Sequence, residues 1–153
     1  MTDKLDRKDS EMNGSINFEG YKILKASFDL NTEFSSDKPI DISIGLGHDY
    51  QIEETDMRVQ LSVKVFEDAK NNDLPFELLL TIEGQFTFDE GVDAKKFLPN
   101  ALAILYPYIR AVVSSYTALA NVTPLFLPTI NINNYLKNVG KESSCDIEEW
   151  IKI

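Results

Sequence analysis

Few residues in this sequence have the types and spacing that chemistry needs. The single histidine, His48, shares the parity of Ile44 and Leu46 in an alternating run, while Asp49 falls on the opposite face. General-base work or a catalytic triad would need an orienting acid and a nucleophile beside it, so His48 reads as structural. The one cysteine, Cys145, lies in the polar stretch Glu142–Asp146 without a basic neighbour, and reads as an inert thiol. One cysteine excludes an intrachain disulfide and a Cys-cluster zinc site, and one histidine excludes the usual multi-histidine sites. Gly45-Leu46-Gly47 sits inside a strand pattern with no helix opening after it. It reads as a bulge or a close backbone approach, not a phosphate loop. Glu53-Glu54-Thr55-Asp56 lacks the spacing of a calcium loop and reads as a solvated hairpin tip. Glu77 and Glu83 fit a solvated sheet face. No catalytic residue, metal or cofactor is expected from this pattern.

The unusual signal is apolar. Leu125-Phe126-Leu127-Pro128-Thr129-Ile130 is hydrophobic where loops are normally polar. Either it packs as core, or with the last helix it borders a groove for apolar ligands or peptides.

The elements that must position these residues follow from periodicity. Residues 1–14 have no pattern and read as a disordered arm. From Ile16 to Leu30 the pattern is strand-like, but Tyr21 and Ile23 have the opposite parity to Leu24, Ala26, Phe28 and Leu30. A bulge near Ile23–Leu24 reconciles the halves. Ile40 to Leu46, Met57 to Val65 and Phe76 to Phe88 alternate with period 2. Four half-buried strands with short connections predict an antiparallel meander with one apolar face to be covered. Asp93 suits the N-cap of a short helix, and Pro107 suits the first turn of a longer one. Asn133 or Asn134 can cap a last helix that stops at Gly140. The expected class is α+β, a four-stranded antiparallel meander with a long helix and a shorter C-terminal helix packed on one face. Its expected division is an arm over 1–14, a domain over 15–140 and a tail over 141–153 that forms a short helix around Ile147, Trp150 and Ile151.

Length and charge bound the partners. The 153 residues set a prior of one domain. The net charge of −10 is lopsided: residues 1–94 hold 21 acids and 9 bases, whereas residues 95–153 hold 4 acids and 6 bases. A chain without a basic stripe is a poor nucleic-acid binder. Between Phe97 and Leu136 the only charge is Arg110, yet Pro99, Asn100, Pro107, Asn121, Pro124 and Pro128 interrupt the run. The roughly 18 to 20 consecutive apolar residues of a membrane span are not reached. The expected setting is soluble, reduced and cytoplasmic, without membrane insertion.

Tyr106-Pro107-Tyr108-Ile109-Arg110 resembles the aromatic-Pro-Tyr-x-Arg motif that opens the long helix of the SecB export chaperones. Leu125-x-Leu127-Pro128 and Ile130-Asn131-Ile132 resemble that family's apolar loop before its last helix, and the strands-then-helices order agrees over roughly residues 16–139. The resemblance implies an ATP-independent holdase that binds unfolded, non-native polypeptides, assembles as a homotetramer (a dimer of dimers) and hands clients to the SecA motor for export. It implies a client groove around Tyr106, Leu125, Phe126, Leu127, Ile130, Tyr135 and Leu136. It implies oligomer contacts at Val112, Val113, Tyr116 and Leu119, and an acidic docking face that includes Asp29, with Glu77 and Glu83 on the same polar face. Lys25 and Leu79 stand where the family usually has acids, and the C-terminus is apolar. Service to an antitoxin of a toxin–antitoxin system is therefore the alternative partner to SecA. Two other classes compete. A hotdog thioesterase would wrap an early helix in its sheet, whereas here the helix follows all four strands. A small apolar-ligand module would hold its ligand between sheet and helices as a monomer.

Overall fold

Alternation becomes a sheet in the computed structural model, which describes residues 16–141 and 151–152. The strands are β1 (Ile16–Leu30), β2 (Ile44–Glu53), β3 (Asp56–Val65) and β4 (Phe76–Phe88). A one-turn helix, α1 (Ala69–Asn72), interrupts the β3–β4 connection. A 3-10 turn over Ala94–Phe97 leads into α2 (Leu98–Leu119), and α3 (Ile132–Lys141) follows the apolar loop. A two-residue strand, β5 (Ile151–Lys152), pairs with the outer edge of β2. The α+β class is as expected. Ile151, expected in a tail helix, is extended; Cys145, Ile147 and Trp150, the rest of that expected helix, and the arm over 1–14 lie outside the described residues.

The sheet order is β1-β4-β3-β2-β5, with every pairing antiparallel. Only β2 to β4 form a meander. The first strand lies beyond β4, which makes a Greek-key arrangement in place of the expected four-strand meander. Residues 31–43 are too long for a hairpin, and they carry the chain across the end of the sheet to β2.

Two register shifts, Phe18/Gly20 and Ile23/Lys25, explain the parity of β1. Phe28 and Ala26 face the core side beside Leu78 and Leu80; after the shift Ile23 and Tyr21 stand beside Ile82 and Gly84; after the second, Phe18 and Ile16 stand beside Phe86 and Phe88. The bulge at Leu24 is where the periodicity predicts it, and the one at Glu19 is additional. Gly20 there has φ 127°, a conformation open to glycine. By contrast, β2 and β3 pair without a shift through Gly45 and Gly47, so no bulge occurs there. The hairpin tip at Glu54–Thr55 is as read, with Glu54 left-handed at φ 54°.

The helical cover differs from expectation at its start. The Asp93 carbonyl accepts the Lys96 N–H at 3.1 Å, but its side chain makes no cap bond, and the turn runs straight into one 22-residue helix. Pro99 occupies the first turn of α2, and Pro107 lies inside the helix. Pro107 removes the bond to the Ala103 carbonyl. Both residues are exposed, so the break falls on the solvent side. The cap of α3 is Asn131, not Asn133 or Asn134: its Oδ1 accepts the Asn134 N–H at 3.1 Å.

By length and composition α2 could cross a membrane, but Ala101, Leu102, Leu105, Ile109 and Val113 are fully buried against the sheet. It is the core helix of this fold. A Cβ on Gly84 would lie 2.5 Å from Leu105 Cδ2, so the missing side chain lets α2 settle onto β4.

Candidate functional site

The apolar loop is clamped to α2 by three hydroxyls. Thr117 Oγ1, fully buried, accepts the Leu125 N–H at 2.9 Å and donates to the Val113 carbonyl at 2.9 Å. Ser114 Oγ lies 3.0 Å from the Leu125 carbonyl. The Tyr106 hydroxyl donates to the Pro128 carbonyl further along. Burial raises the pKa of Tyr106, and nearby Arg110 offsets part of that rise. Leu125 and Leu127 thereby enter the core, whereas Phe126 between them is 74% exposed.

A second clamp holds the β1–β2 connection. Asn31 is buried, and its Nδ2 donates to the Leu74 carbonyl at 2.9 Å and the Ala69 carbonyl at 3.2 Å. Its own N–H donates to the Pro75 carbonyl at 2.9 Å, and its Oδ1 accepts the Glu33 N–H at 3.1 Å. The connection is thus tied to the α1 turn, and Phe34 follows directly.

Between these clamps opens a cavity of about 320 Å³. Phe34, Ile40 and Ile42 come from the β1–β2 connection, Phe66 and Phe76 from the sheet end, and Val122 to Leu125 from the loop after α2. Phe66 holds φ 58°, an uncommon conformation for a bulky residue. Its N–H donates to the Ser43 carbonyl at 3.0 Å, and its ring meets Phe76 edge-on at 5.2 Å. Phe76 stacks on Phe28 at 5.2 Å, and Phe28 meets Tyr116 of α2 at 6.1 Å. One aromatic row therefore joins groove, sheet and helix. Ile42 is 51% exposed at the mouth.

Of the expected groove residues, Leu125 lines this cavity. Phe126 projects into solvent, Tyr106, Leu127 and Tyr135 are core, and Ile130 and Leu136 are half-buried against that core. Phe34, Ile40, Ile42, Phe66 and Phe76 are groove residues that the sequence reading did not assign. Their signal was present in Phe34, Ile40 and Ile42, apolar residues inside an otherwise polar connection.

The expected oligomer contacts divide. Val113 is fully buried against the sheet and cannot reach a partner, which corrects its assignment. Val112 and Tyr116 are half-buried, and Leu119 is 87% exposed. The outward face of α2 instead runs through Ile104, Tyr108, Ala111, Ser115 and Leu119, without a charge. On the polar sheet face Asp29 is exposed and stands opposite Glu77. Glu77 Oε1 accepts the Ala69 N–H at 2.6 Å, and Glu83 Oε2 accepts a Gln60 Nε2 bond at 3.0 Å. Lys22, Lys25, Arg58 and Lys64 share that face, so its charge is mixed.

His48 lies on the inner face of β2, with Nδ1 2.8 Å from the Tyr135 hydroxyl. Burial lowers the pKa of His48, against the raising influence of Asp49, and burial pushes the Tyr135 hydroxyl well above the usual phenol range. Among the described residues, the hydrogen bonds of His48 and Tyr135 bring no nucleophile to this pair. Among the described residues no group of three or more His, Cys, Asp or Glu side chains could hold a metal ion.

No family model matches the chain. Over 143 residues it is 26% identical to an uncharacterized protein of Methanocaldococcus jannaschii, covering 88% of this chain and 92% of that one. Its fold is similar to that of the SecB-like chaperone Rv1957 of Mycobacterium tuberculosis, solved in complex with a ChAD peptide from the HigA1 antitoxin. The TM-score is 0.62 at 14% identity, over 84% of this chain and 96% of that chain.

Proposed function

We propose that this chain is an ATP-independent holdase that binds extended, non-native polypeptide through the Phe34–Leu125 groove. The observation that carries the reading is the groove itself. It is apolar, opens at Ile42 and is walled by three segments that two buried hydrogen-bond clamps hold apart. Such a cavity accepts one or two apolar side chains of a passing chain, and it needs no cofactor to do so. The likeness in fold to a SecB-like chaperone supports the same reading.

The holdase acts in the cytoplasm as a homotetramer whose helices meet through the uncharged outward face of α2. Its clients are polypeptides bound for export. A second reading is service to an antitoxin, and one observation favours it: a structural neighbour was solved with an antitoxin peptide. The mixed charge of the sheet face also fits a SecA-type motor less well than an unbroken acidic face would. A ligand-binding monomer is the third reading.

The test is aggregation of a chemically unfolded protein on dilution, without nucleotide. Stoichiometric suppression by the wild-type chain, lost on Ile42→Glu at unchanged stability, is the expected result. A wild-type chain that leaves aggregation unaltered would overturn the proposal. Pull-down of export precursors or of antitoxin segments then separates the first two readings.

A further inference from the structure

The outer edge of β2 is occupied for only part of its length. β5 pairs antiparallel with it at Gly45↔Lys152 and Leu46↔Ile151, while Gly47 to Glu53 have no partner on that side among the described residues. Unpaired backbone N–H and C=O groups on an edge are a template for another extended chain. Strands commonly run about 5–6 residues, so a two-residue strand holds its place with few bonds.

The occupied part of the edge adjoins the groove. Ile42, at the groove mouth, precedes the first residue of β2 by two positions. Ser43 between them is tied to the other side, to Phe66 at the end of β3. A strand on the edge at Gly45–Leu46 therefore passes the groove mouth at one end. Gly45 has no side chain to hinder a close backbone approach there.

We propose that β5 is an internal competitor of the client. An extended segment of the bound polypeptide adds antiparallel to β2 at Gly45–Leu46, displaces Ile151–Lys152 and continues along the free edge toward Glu53, while a neighbouring apolar residue enters the groove. The backbone bonds are independent of client sequence, and the groove supplies the preference for apolar side chains. This inference rests on the holdase reading. It adds that the chain's own C-terminal strand sets the threshold of affinity a client must exceed.

The experiment uses the full chain, wild type and Ile151→Pro. Proline removes the backbone N–H and disfavours the paired strand. The probe is a reduced, carboxymethylated protein that stays unfolded. If the edge is free for about a tenth to a third of the time, Ile151→Pro tightens probe binding roughly three- to tenfold. Adding a synthetic peptide of residues 142–153 in trans weakens it again. Amide exchange at Gly45–Gly47 speeds up in the variant without probe and slows when probe is bound. Equal binding by both proteins overturns the competition while leaving the holdase reading intact. Faster exchange that the probe does not reverse also overturns it, because the strand is then purely structural. Protection of the same amides through self-association, seen as a mass increase in light scattering, overturns it in favour of a second copy. Failure of both proteins to bind the probe removes the holdase reading and this inference together.

Discussion

The Tyr135 hydroxyl lies 2.8 Å from His48 Nδ1 and joins α3 to the inner face of β2 across 87 positions of chain. It is a polar contact on a helix whose Ile132, Leu136 and Val139 are half-buried against the core.

That pair gives stability a pH dependence. Burial is the larger influence on His48 and holds its folded pKa below the usual 6.5. The unfolded chain therefore binds the proton more readily than the folded chain. The contribution of neutral His48 is fully present above about pH 7 and is lost as pH falls through 6.5 toward the folded value. Thermal unfolding between pH 5 and 7.5, as ranges on the order of a unit about that value, should show a fall in melting temperature on acidification. The fall should shrink in His48→Gln.

Thr117→Val keeps the shape and deletes the hydroxyl. The Leu125 N–H then loses its buried acceptor, at a cost of about 1–3 kcal/mol. Chemical denaturation should register that loss. The proposed client binding should weaken as well, because Leu125 is part of the groove wall.

Asn31→Ala releases the β1–β2 connection from the Ala69 and Leu74 carbonyls. A loss of about 1–3 kcal/mol is expected from the buried acceptors left without a partner. Limited proteolysis should cut within residues 31–43 faster in the variant than in the wild-type chain.

Gly84→Ala places a methyl group against Leu105 and Phe86 in a packed core. Overpacking of this kind costs about 1–3 kcal/mol. A denaturation midpoint equal to wild type would show that α2 can lift from β4 freely.

Leu119→Glu introduces charge on the outward face of α2 at a site that is 87% exposed. The monomer fold should be unaffected, since surface substitutions usually change stability by less than about 0.5 kcal/mol. If the proposed tetramer forms through this face, light scattering should fall from a mass near four times 17.3 kDa to a smaller species. An unchanged tetramer would place the helix contacts elsewhere.

Particular residues show what the sequence could reveal. The alternation in Ile44–Leu46, Met57–Val65 and Phe76–Phe88 named the inner face because a half-buried strand must alternate. The parity conflict at Ile23 and Leu24 named a bulge for the same reason. The place of β1 beside β4 was not legible, since pairing between residues such as Phe28 and Leu78 leaves no local trace. Pro107 misled because a proline at the first helical turn and one on the solvent side of a long helix look alike in sequence. The groove was half legible. Leu125 stood out in an apolar loop, but Phe66 and Phe76 look like ordinary strand-end residues until the Greek-key connection brings Phe34 and Ile40 against them.

The placement of β1 also sets an order of events at the ribosome. Its partners in β4 lie 50 residues downstream at Phe28↔Leu78 and 72 at Ile16↔Phe88. At roughly 5–20 residues per second of synthesis, β1 waits several seconds for the strand that shields it. During that interval Tyr21, Ile23, Leu24 and Leu30 remain uncovered on the nascent chain, and they stay substantially exposed even in the finished fold. Among the described strands β1 is made first yet is paired only when β4 emerges, so the newborn protein passes through the same aggregation-prone condition as the chains it is proposed to protect.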